Sequence, residues 1–481
     1  MGYRTKLKWC TLLLLCWSCC GIATAQIRPG RLPAPLSQAL AQAGISESSV
    51  GIFAQDVNAN RPLLAVGDAR ALNPASTIKL LTTFAALDLL GPAFRWTTDI
   101  YAAGPRQGAI VAGDLVIKGR GDPQLTLENF WLMLRDLRAR GVREIRGDLV
   151  LDRSYFDPAE NTDPASFDNE PTRPYNTAPD ALLVNFKAVR VQFVPDSESR
   201  RLAIIVEPPL AQVQVLNNVA VDGEPCGDWV DRLKLTVLGD SANVRLLFGG
   251  TYSLACGEKE RSYSVLGHAQ YVYGLFSMLW RELGGTFTGA VRTTEVPPGA
   301  QLLLSHQTQT LAEIVYDINK FSNNVMARQL YLSLGALAFG PPANGEKSAG
   351  AIGQWLTARR LAFPELVLEN GSGLSRSEHL SARSLGQLLL SAYRSAVMPE
   401  FVASLPVVAV DGTMKKRLTA SELAGQAHIK TGSLAGVRAI AGYVLDHSGR
   451  TVAVVCIIND ANAANAQPVQ DALLSWIYRR H

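Results

Sequence analysis

The apolar positions change period several times along the chain, and each change marks an element. Strand-like segments over residues 50–56 and 62–66, separated by a turn at Asn58-Ala59-Asn60, predict a hairpin. Leu80, Phe84 and Leu87 then recur at i, i+4 and i+7, which predicts a helix over about 76–90 that Gly91-Pro92 stops. From about Phe94 to Gly267 the texture becomes β-branched alternation with Gly, Pro and Asp turns, as in Val189-Arg190-Val191-Gln192-Phe193-Val194 and Leu233-Lys234-Leu235-Thr236-Val237-Leu238. One helix, over about 125–140, interrupts that region. Helical periodicity returns after Gly267, over about 268–283, 311–320, 324–334 and 382–394. Three strands follow, over 428–433, 438–445 and 451–458, and then an amphipathic helix over 468–480 whose Leu473, Trp476 and Ile477 form a packing face.

The two ends of the chain thus share one style and the middle another. The expected fold class is α+β, with one domain in two pieces, 26–93 and 267–481, split by a β-rich insert over 94–266 that forms two subdomains. Tandem domains are the alternative, because strands beside a helical segment suit either arrangement. There is no internal repeat or low-complexity tract.

Ahead of these elements, Arg4, Lys6 and Lys8 precede an apolar core at 12–15 and the small-residue run Ala23-Thr24-Ala25, the layout of a cleaved export leader over 1–25. No later stretch reaches the roughly 20 apolar residues of a membrane-spanning helix. An exported, periplasmic protein with no transmembrane anchor after cleavage is expected. Lipidation competes with that reading because Cys16, Cys19 and Cys20 lie near the cleavage region, but none follows a Leu-x-small pattern. Losing three basic residues with the leader brings the two signs of charge within one of balance. Nothing in that balance calls for nucleic acid or an anionic membrane surface as partner. Of the remaining cysteines, Cys226 and Cys256 are a candidate disulfide, with two separate thiols as the alternative. Cys456 lies within an apolar strand and reads as an inert core residue.

Candidate chemistry rests on three short strings in order: Ser76-Thr77-Ile78-Lys79, Ser322-Asn323-Asn324 and Lys430-Thr431-Gly432. Ser76 and Lys79, three apart on a helix, share a face and can touch. A serine hydroxyl needs a base, and a lysine serves once desolvation or a second cation, here Lys430, lowers its pKa. Ser76 also falls at the predicted helix N-terminus, where free N–H groups favour developing negative charge. Ser322 and Asn324 follow a helix stop, on a loop where the serine can relay a proton and the asparagine can bind a substrate amide. On the following strand, Gly432 allows close approach of a substrate backbone, Lys430 and Thr431 can hold a carboxylate, and the Ser433 N–H can join that of Ser76 as an oxyanion hole. Each string alone has a plainer reading, as an N-cap for Ser76 and a loop cap for Ser322. Their order, each on a suitable element, makes the set the signature of penicillin-binding proteins and serine β-lactamases.

Other chemistries lack support. The six histidines, His268, His306, His379, His428, His447 and His481, show no metal-ligand spacing. No G-x-S-x-G elbow occurs, and Gly119-Arg120-Gly121-Asp122-Pro123 lacks a phosphate-loop lysine.

With these residues in place, the chain resembles the class C low-molecular-mass penicillin-binding proteins, the D-alanyl-D-alanine carboxypeptidase/endopeptidase family. The resemblance extends over the mature chain through Gly121-Asp122-Pro123, the run from Gly147 to Asp157, Val184-Asn185-Phe186, the run from Glu369 to Arg376, and Asp411-Gly412-Thr413-Met414. It implies a serine β-lactamase/transpeptidase-like domain, an antiparallel sheet flanked by helices, carrying largely β subdomains between the first and second motifs. It also implies Ser76 as acylated nucleophile, Lys79 as base, Ser322 as proton relay, and Asn324, Lys430, Thr431, Gly432 and Ser433 at the substrate. Asp152, Phe156 and Arg376 would help recognise the side chain of the peptide; fold maintenance is the alternative for all three. The expected partners are peptidoglycan stem peptides and β-lactam antibiotics as inhibitors, with no cofactor and no metal. The three motifs are intact, which speaks against an inactive relative. A serine β-lactamase and a non-catalytic wall-binding or penicillin-sensing module are the competing functions.

Overall fold

Val50–Asp56, near the start of the chain, pairs antiparallel with Thr451–Asn459, near its end, so the two termini are held in one sheet. The sheet runs Ala427–Leu434, Val437–Leu445, Thr451–Asn459, Val50–Asp56, Leu64–Val66, antiparallel throughout. This computed structural model describes residue 2 and residues 31–480; the expected leader, 1–25, lies outside the described residues apart from Gly2.

Side-chain alternation divides the sheet between two cores. Ile52, Ala54, Val454, Cys456 and Ile458 face one core, which Ala34–Ala43 and Gln467–Tyr478 cover through residues such as Leu36, Leu40, Leu473 and Ile477. Phe53, Ala453, Val455 and Ile457 face the other, filled by Lys79–Leu90, Leu311–Phe321, Asn324–Phe339, Gly345–Ala358 and Ala382–Tyr393. Because both faces are covered, these strands read as continuous apolar runs. Cys456 is fully buried, and burial pushes its thiol up to about 12, which leaves it inert.

The insert has a core of its own, from Ile100 to Leu304. Its largest sheet runs Val291–Thr293, Leu149–Asp152, Asp114–Lys118, Thr97–Ala103, Gln301–Gln307, and Leu127–Ala139 and His268–Glu282 pack among the same buried residues. A three-stranded sheet and two four-stranded ones complete it, one of these centred on Val244–Ser253 and the other running Thr286–Phe287, Glu144–Ile145, Ile110–Val111, Arg106–Gln107. The boundary expected at 267 therefore falls later in packing terms. Tyr271, Leu275, Phe276 and Trp280 bury their helix in the insert, and apart from Phe156 and Ala181 the buried residues of the chain return to the first cores after Gln307. Thr97 and Gln307 are cross-strand partners, so the insert is entered and left at one point, which lets the split domain close around it.

Buried polar contacts fix the seam. The Asp180 N–H donates to Gln329 Oε1 at 2.9 Å while Gln329 Nε2 donates to Asp180 O at 2.8 Å, and Thr308 Oγ1 donates to Asp122 Oδ2 at 2.8 Å. Among the described residues no helix is long and apolar enough to cross a membrane.

Cys226 and Cys256 are joined, closing a loop with a sequence separation of 30 within the four-stranded part of the insert. Loop-closure entropy for that length is about 3–4 kcal/mol. Replacing both cysteines with serine is expected to lower the melting temperature of the insert, read by calorimetry with and without reductant. An unchanged melting profile in both conditions would show that the bridge contributes nothing.

Candidate active site

Ser76 sits in a short 3₁₀ turn, Ala75–Ile78, that leads directly into Lys79–Leu90. The turn is held in place by asparagines. Ala75 takes a left-handed φ of 45°, and its N–H donates to Asn73 Oδ1 at 2.9 Å. Asn73 in turn exchanges hydrogen bonds with Asn459, at 2.7 and 3.0 Å, and donates to Ser375 O at 2.9 Å. A non-glycine residue in that conformation costs about 1–3 kcal/mol and persists only where its surroundings over-determine it. Here the end of the sheet supplies that constraint.

One helical turn on, the Lys79 side chain is fully buried. Its Nζ reaches Ser76 Oγ at 3.0 Å, Asn324 Oδ1 at 2.7 Å and the carbonyl of Ser372. Burial lowers its pKa to about 7, against an opposing pull from Glu378. Lys430 is also fully buried and donates to Ser322 Oγ and Thr431 O, both at 2.7 Å. Desolvation and the neighbouring Lys79 push it well below its ordinary value. Burial of both amines, with the charge of Lys79 felt at Lys430, disfavours holding the two as ammonium ions together and suits one of them to act as a base.

Ser322 caps Leu311–Phe321 in the left-handed conformation, φ 58°, which turns its hydroxyl toward Lys430. Asn324 opens the helix Asn324–Phe339, in line with the helix expected from 324, so it sits just past the loop that follows Leu311–Phe321; Asn323 is the N-cap, its side chain accepting from Met326 N at 3.0 Å. Gly432 runs against the turn; a Cβ there would come within 2.8 Å of Pro74 O and 3.0 Å of Ser76 N. Thr431 Oγ1 lies 2.8 Å from Thr413 Oγ1, and the exposed Ser433 hydroxyl accepts from Arg438. Ser76, Lys79 and Asn324 thus form one hydrogen-bonded group and Ser322, Lys430 and Thr431 another, with the charge of Lys79 felt at Lys430 and with Gly432 and Ser433 continuing the strand edge.

Asp152 and Phe156 share no hydrogen bond with these groups, and their surroundings favour the fold-maintenance alternative. Asp152 ends a buried strand, where Lys118 Nζ, Ser154 N, Ser154 Oγ and Val296 N all donate to it at 2.7–3.0 Å. Burial opposes its charge, but those donors outweigh it and hold the carboxyl below its usual range. Phe156 is core, its ring pressed against Gly121. Arg376 is exposed, lies 4.7 Å from the centroid of Phe167 and donates to Ala435 O at 3.3 Å, in the turn that follows the Lys430 strand. It lines a cleft of 540 Å³ with Glu160, Asp163, Phe167, Arg328 and Glu369.

Several contributors carry no sequence signal of their own. Ser372 acts through its carbonyl. Glu378, fully buried, accepts the N–H groups of Glu369, Asn370 and Gly371 at 2.9–3.2 Å and so shapes the segment that offers that carbonyl. Burial raises its pKa. Lys320 pairs with Asp411 at 2.6 Å, which anchors the segment bearing Thr413. Only their inclusion in runs shared with the resembled family hinted at Ser372, Asp411 and Thr413. Among the described residues no group of three or more His, Cys, Asp or Glu is arranged to hold a metal ion.

A family model described as the D-Ala-D-Ala carboxypeptidase 3 (S13) family matches residues 32–480. The chain is 26% identical over 414 residues to the D-alanyl-D-alanine carboxypeptidase DacB of Haemophilus influenzae, covering 86% of this chain and 85% of that protein. It is 29% identical over 453 residues to a D-alanyl-D-alanine carboxypeptidase of an Actinomadura species, covering 88% and 80%. Penicillin-binding protein 4 (dacB) of Haemophilus influenzae superposes with a TM-score of 0.78 at 25% identity, over 92% of this chain and 99% of that one. Its complex with a β-lactam gives 0.74 at 25% identity, over 93% and 100%.

Gly373 offers a test of the packing behind Ser76. Its φ is 82°, and an added Cβ would meet Ala75 O at 2.1 Å and Ser76 N at 2.7 Å. Gly373→Ala is expected to lower the melting temperature and displace the Ser76 turn in a crystal structure. Gly353→Ala, at an exposed helical position with nothing within 4 Å, is the control and should stabilise by up to about 1 kcal/mol. If both variants melt like the parent, the close contact at Ser76 does not constrain the turn.

Proposed function

Because the chain belongs to the D-Ala-D-Ala carboxypeptidase 3 (S13) family, we propose that it is a serine DD-peptidase that hydrolyses D-Ala-D-Ala termini and D-alanyl cross-links of peptidoglycan stem peptides through an acyl-Ser76 intermediate. The observation that carries this reading is the buried Lys79 amine, 3.0 Å from Ser76 Oγ and lowered to about 7. Unprotonated, Lys79 takes the hydroxyl proton as Ser76 attacks the scissile carbonyl. The N–H groups of Ser76 and Ser433 stabilise the oxyanion, which the close passage of Gly432 beside Ser76 allows. Ser322, bonded to Lys430, passes a proton to the departing amine. Asn324 has its Oδ1 on Lys79, leaving its Nδ2 donors for the acyl-side amide of the substrate. Water then attacks the ester with Lys79 again as base.

The 540 Å³ cleft beside Arg376 suits the side chain of the stem peptide. Asp163, Glu160 and Glu369 line it, so the acidic partner for a diaminopimelate amine is sought there and not at Asp152. Penicillins acylate Ser76 and are retained, since the opened ring stays attached and leaves no room for water; the β-lactam complex of the Haemophilus relative supports this reading. Export to the periplasm agrees with the leader-like start of the chain and with the Cys226–Cys256 bridge, which an oxidising compartment sustains.

Two measurements test the reading. Purified protein incubated with muropeptides ending in D-Ala-D-Ala should release D-alanine and carry one penicillin adduct on Ser76 by mass spectrometry, and Ser76→Ala should lose both. Rapid penicillin turnover with no lasting adduct would instead make the protein a β-lactamase. Acylation should also follow the unprotonated fraction of Lys79. The second-order rate should rise about tenfold per pH unit below 7 and level off above it, so that at pH 5 it is about a hundredth of its plateau. A flat profile from pH 5 to 9 would exclude Lys79 as the titrating base.

A further inference from the structure

Arg438 is a cation at the site that the mechanism above leaves unused. It lies on Val437–Leu445 directly across from Ser433, so the two side chains share one face of the hairpin. Its Nη1 donates to Ser433 Oγ, and to Leu434 O and Val437 O at 3.4 and 3.1 Å. These acceptors are all uncharged, so its positive charge is not neutralised by them, and the side chain is only half-buried. Two residues back on the same strand face is Thr431, whose hydroxyl meets that of Thr413 at 2.8 Å. The rim beside Ser76 therefore presents three hydroxyls, those of Thr413, Thr431 and Ser433, with a guanidinium at one end.

Both leaving groups of the proposed reaction, free D-alanine and the D-centre of a cross-linking residue, carry an α-carboxylate next to the departing amine. Neutral hydroxyls orient such a group but do not neutralise it. Lys430 is poorly placed to do so: it has no exposed surface, and its Nζ is engaged by Ser322 Oγ and Thr431 O. We propose that Arg438, beside Ser433, supplies the charge that anchors the carboxylate of the leaving D-amino acid, while Lys430 serves proton transfer at Ser322. A guanidinium suits this task because it keeps its charge at any working pH and can hold Ser433 with one nitrogen while offering others to a carboxylate. The site would then select substrates by a free carboxylate on the leaving side. The assignment rests on the DD-peptidase reading.

The test uses two acyl-D-alanyl thioesters that differ only in whether the leaving thiol bears a carboxylate. The thioester keeps the neutral substrate reactive enough to measure. The parent protein is expected to favour the carboxylate form in kcat/KM by about tenfold or more, chiefly through KM. Arg438→Ala should remove that preference while changing the rate on the neutral thioester by no more than about twofold, and Arg438→Lys should restore part of it. Equal loss on both substrates, or an Arg438→Ala enzyme that keeps the full preference, overturns the assignment and leaves the peptidase reading intact. A parent protein that hydrolyses neither thioester and releases no D-alanine overturns the peptidase reading, and this assignment with it.

Discussion

Two lysine side chains, Lys79 and Lys430, are held out of water beside two serine hydroxyls, and most of the surrounding architecture follows from making that tolerable. Removing an ammonium from water costs several kcal/mol even after relaxation, so each amine must be surrounded by acceptors. For Lys79 they come from three separate elements: the Ser76 turn, the helix begun by Asn324 and the carbonyl of Ser372. For Lys430 they are Ser322 and the backbone of its own strand. Burial still outweighs the acceptors, so both amines are lowered from their ordinary values, which suits a lysine to act as a base near neutral pH.

Meeting the demand requires backbones to approach more closely than side chains allow. Gly373 and Gly432 both lie against the Ala75–Ser76 peptide, from opposite sides of the chain's sequence, and neither position has room for a Cβ. Ala75 itself is held in a left-handed conformation by Asn73, which is fastened to Asn459 at the end of the central sheet. Ser76 is therefore tied to the last strand of the domain through Asn73 and Asn459. This gives a physical reason for the two halves to close into one sheet although the insert separates them.

The insert meets the catalytic domain through neutral and charged groups that are satisfied in pairs, such as Gln329 with Asp180 and Thr308 with Asp122. Its contribution to the site comes from the segment around Glu160 to Phe167, where Phe167 packs on Arg376 and joins the cleft, and not from its buried strands. An acidic residue at the end of a strand is equally suited to binding an amine or to closing a turn. The four donors around Asp152 favour the turn.

Local physics made much of this protein legible from its sequence. Continuous apolar runs located Val50–Asp56, Val437–Leu445 and Thr451–Asn459 closely, because a strand covered on both faces is apolar throughout, and a 3.6-residue period located Leu311–Phe321 and Ala382–Tyr393, because a helix buried on one side must repeat its apolar residues at that spacing. The three motifs singled out Ser76, Lys79, Ser322, Asn324 and Lys430 as candidates because the chemistry they suggest depends on residue type and short spacing. Tertiary structure decided what depends on contacts between distant segments. Gly345–Ala358 carries three glycines that weigh against a helix, yet Ile352 and Trp355 bury it in the core, and Gly335 lets it pack tightly at Ser348. His268–Glu282 looked like a return to the catalytic domain, but its aromatic face is complementary to the insert. Glu378, the Ser372 carbonyl and Arg438 have no sequence pattern to announce them, since a buried carboxyl, a carbonyl or a guanidinium acquires its role only from what the fold places across from it.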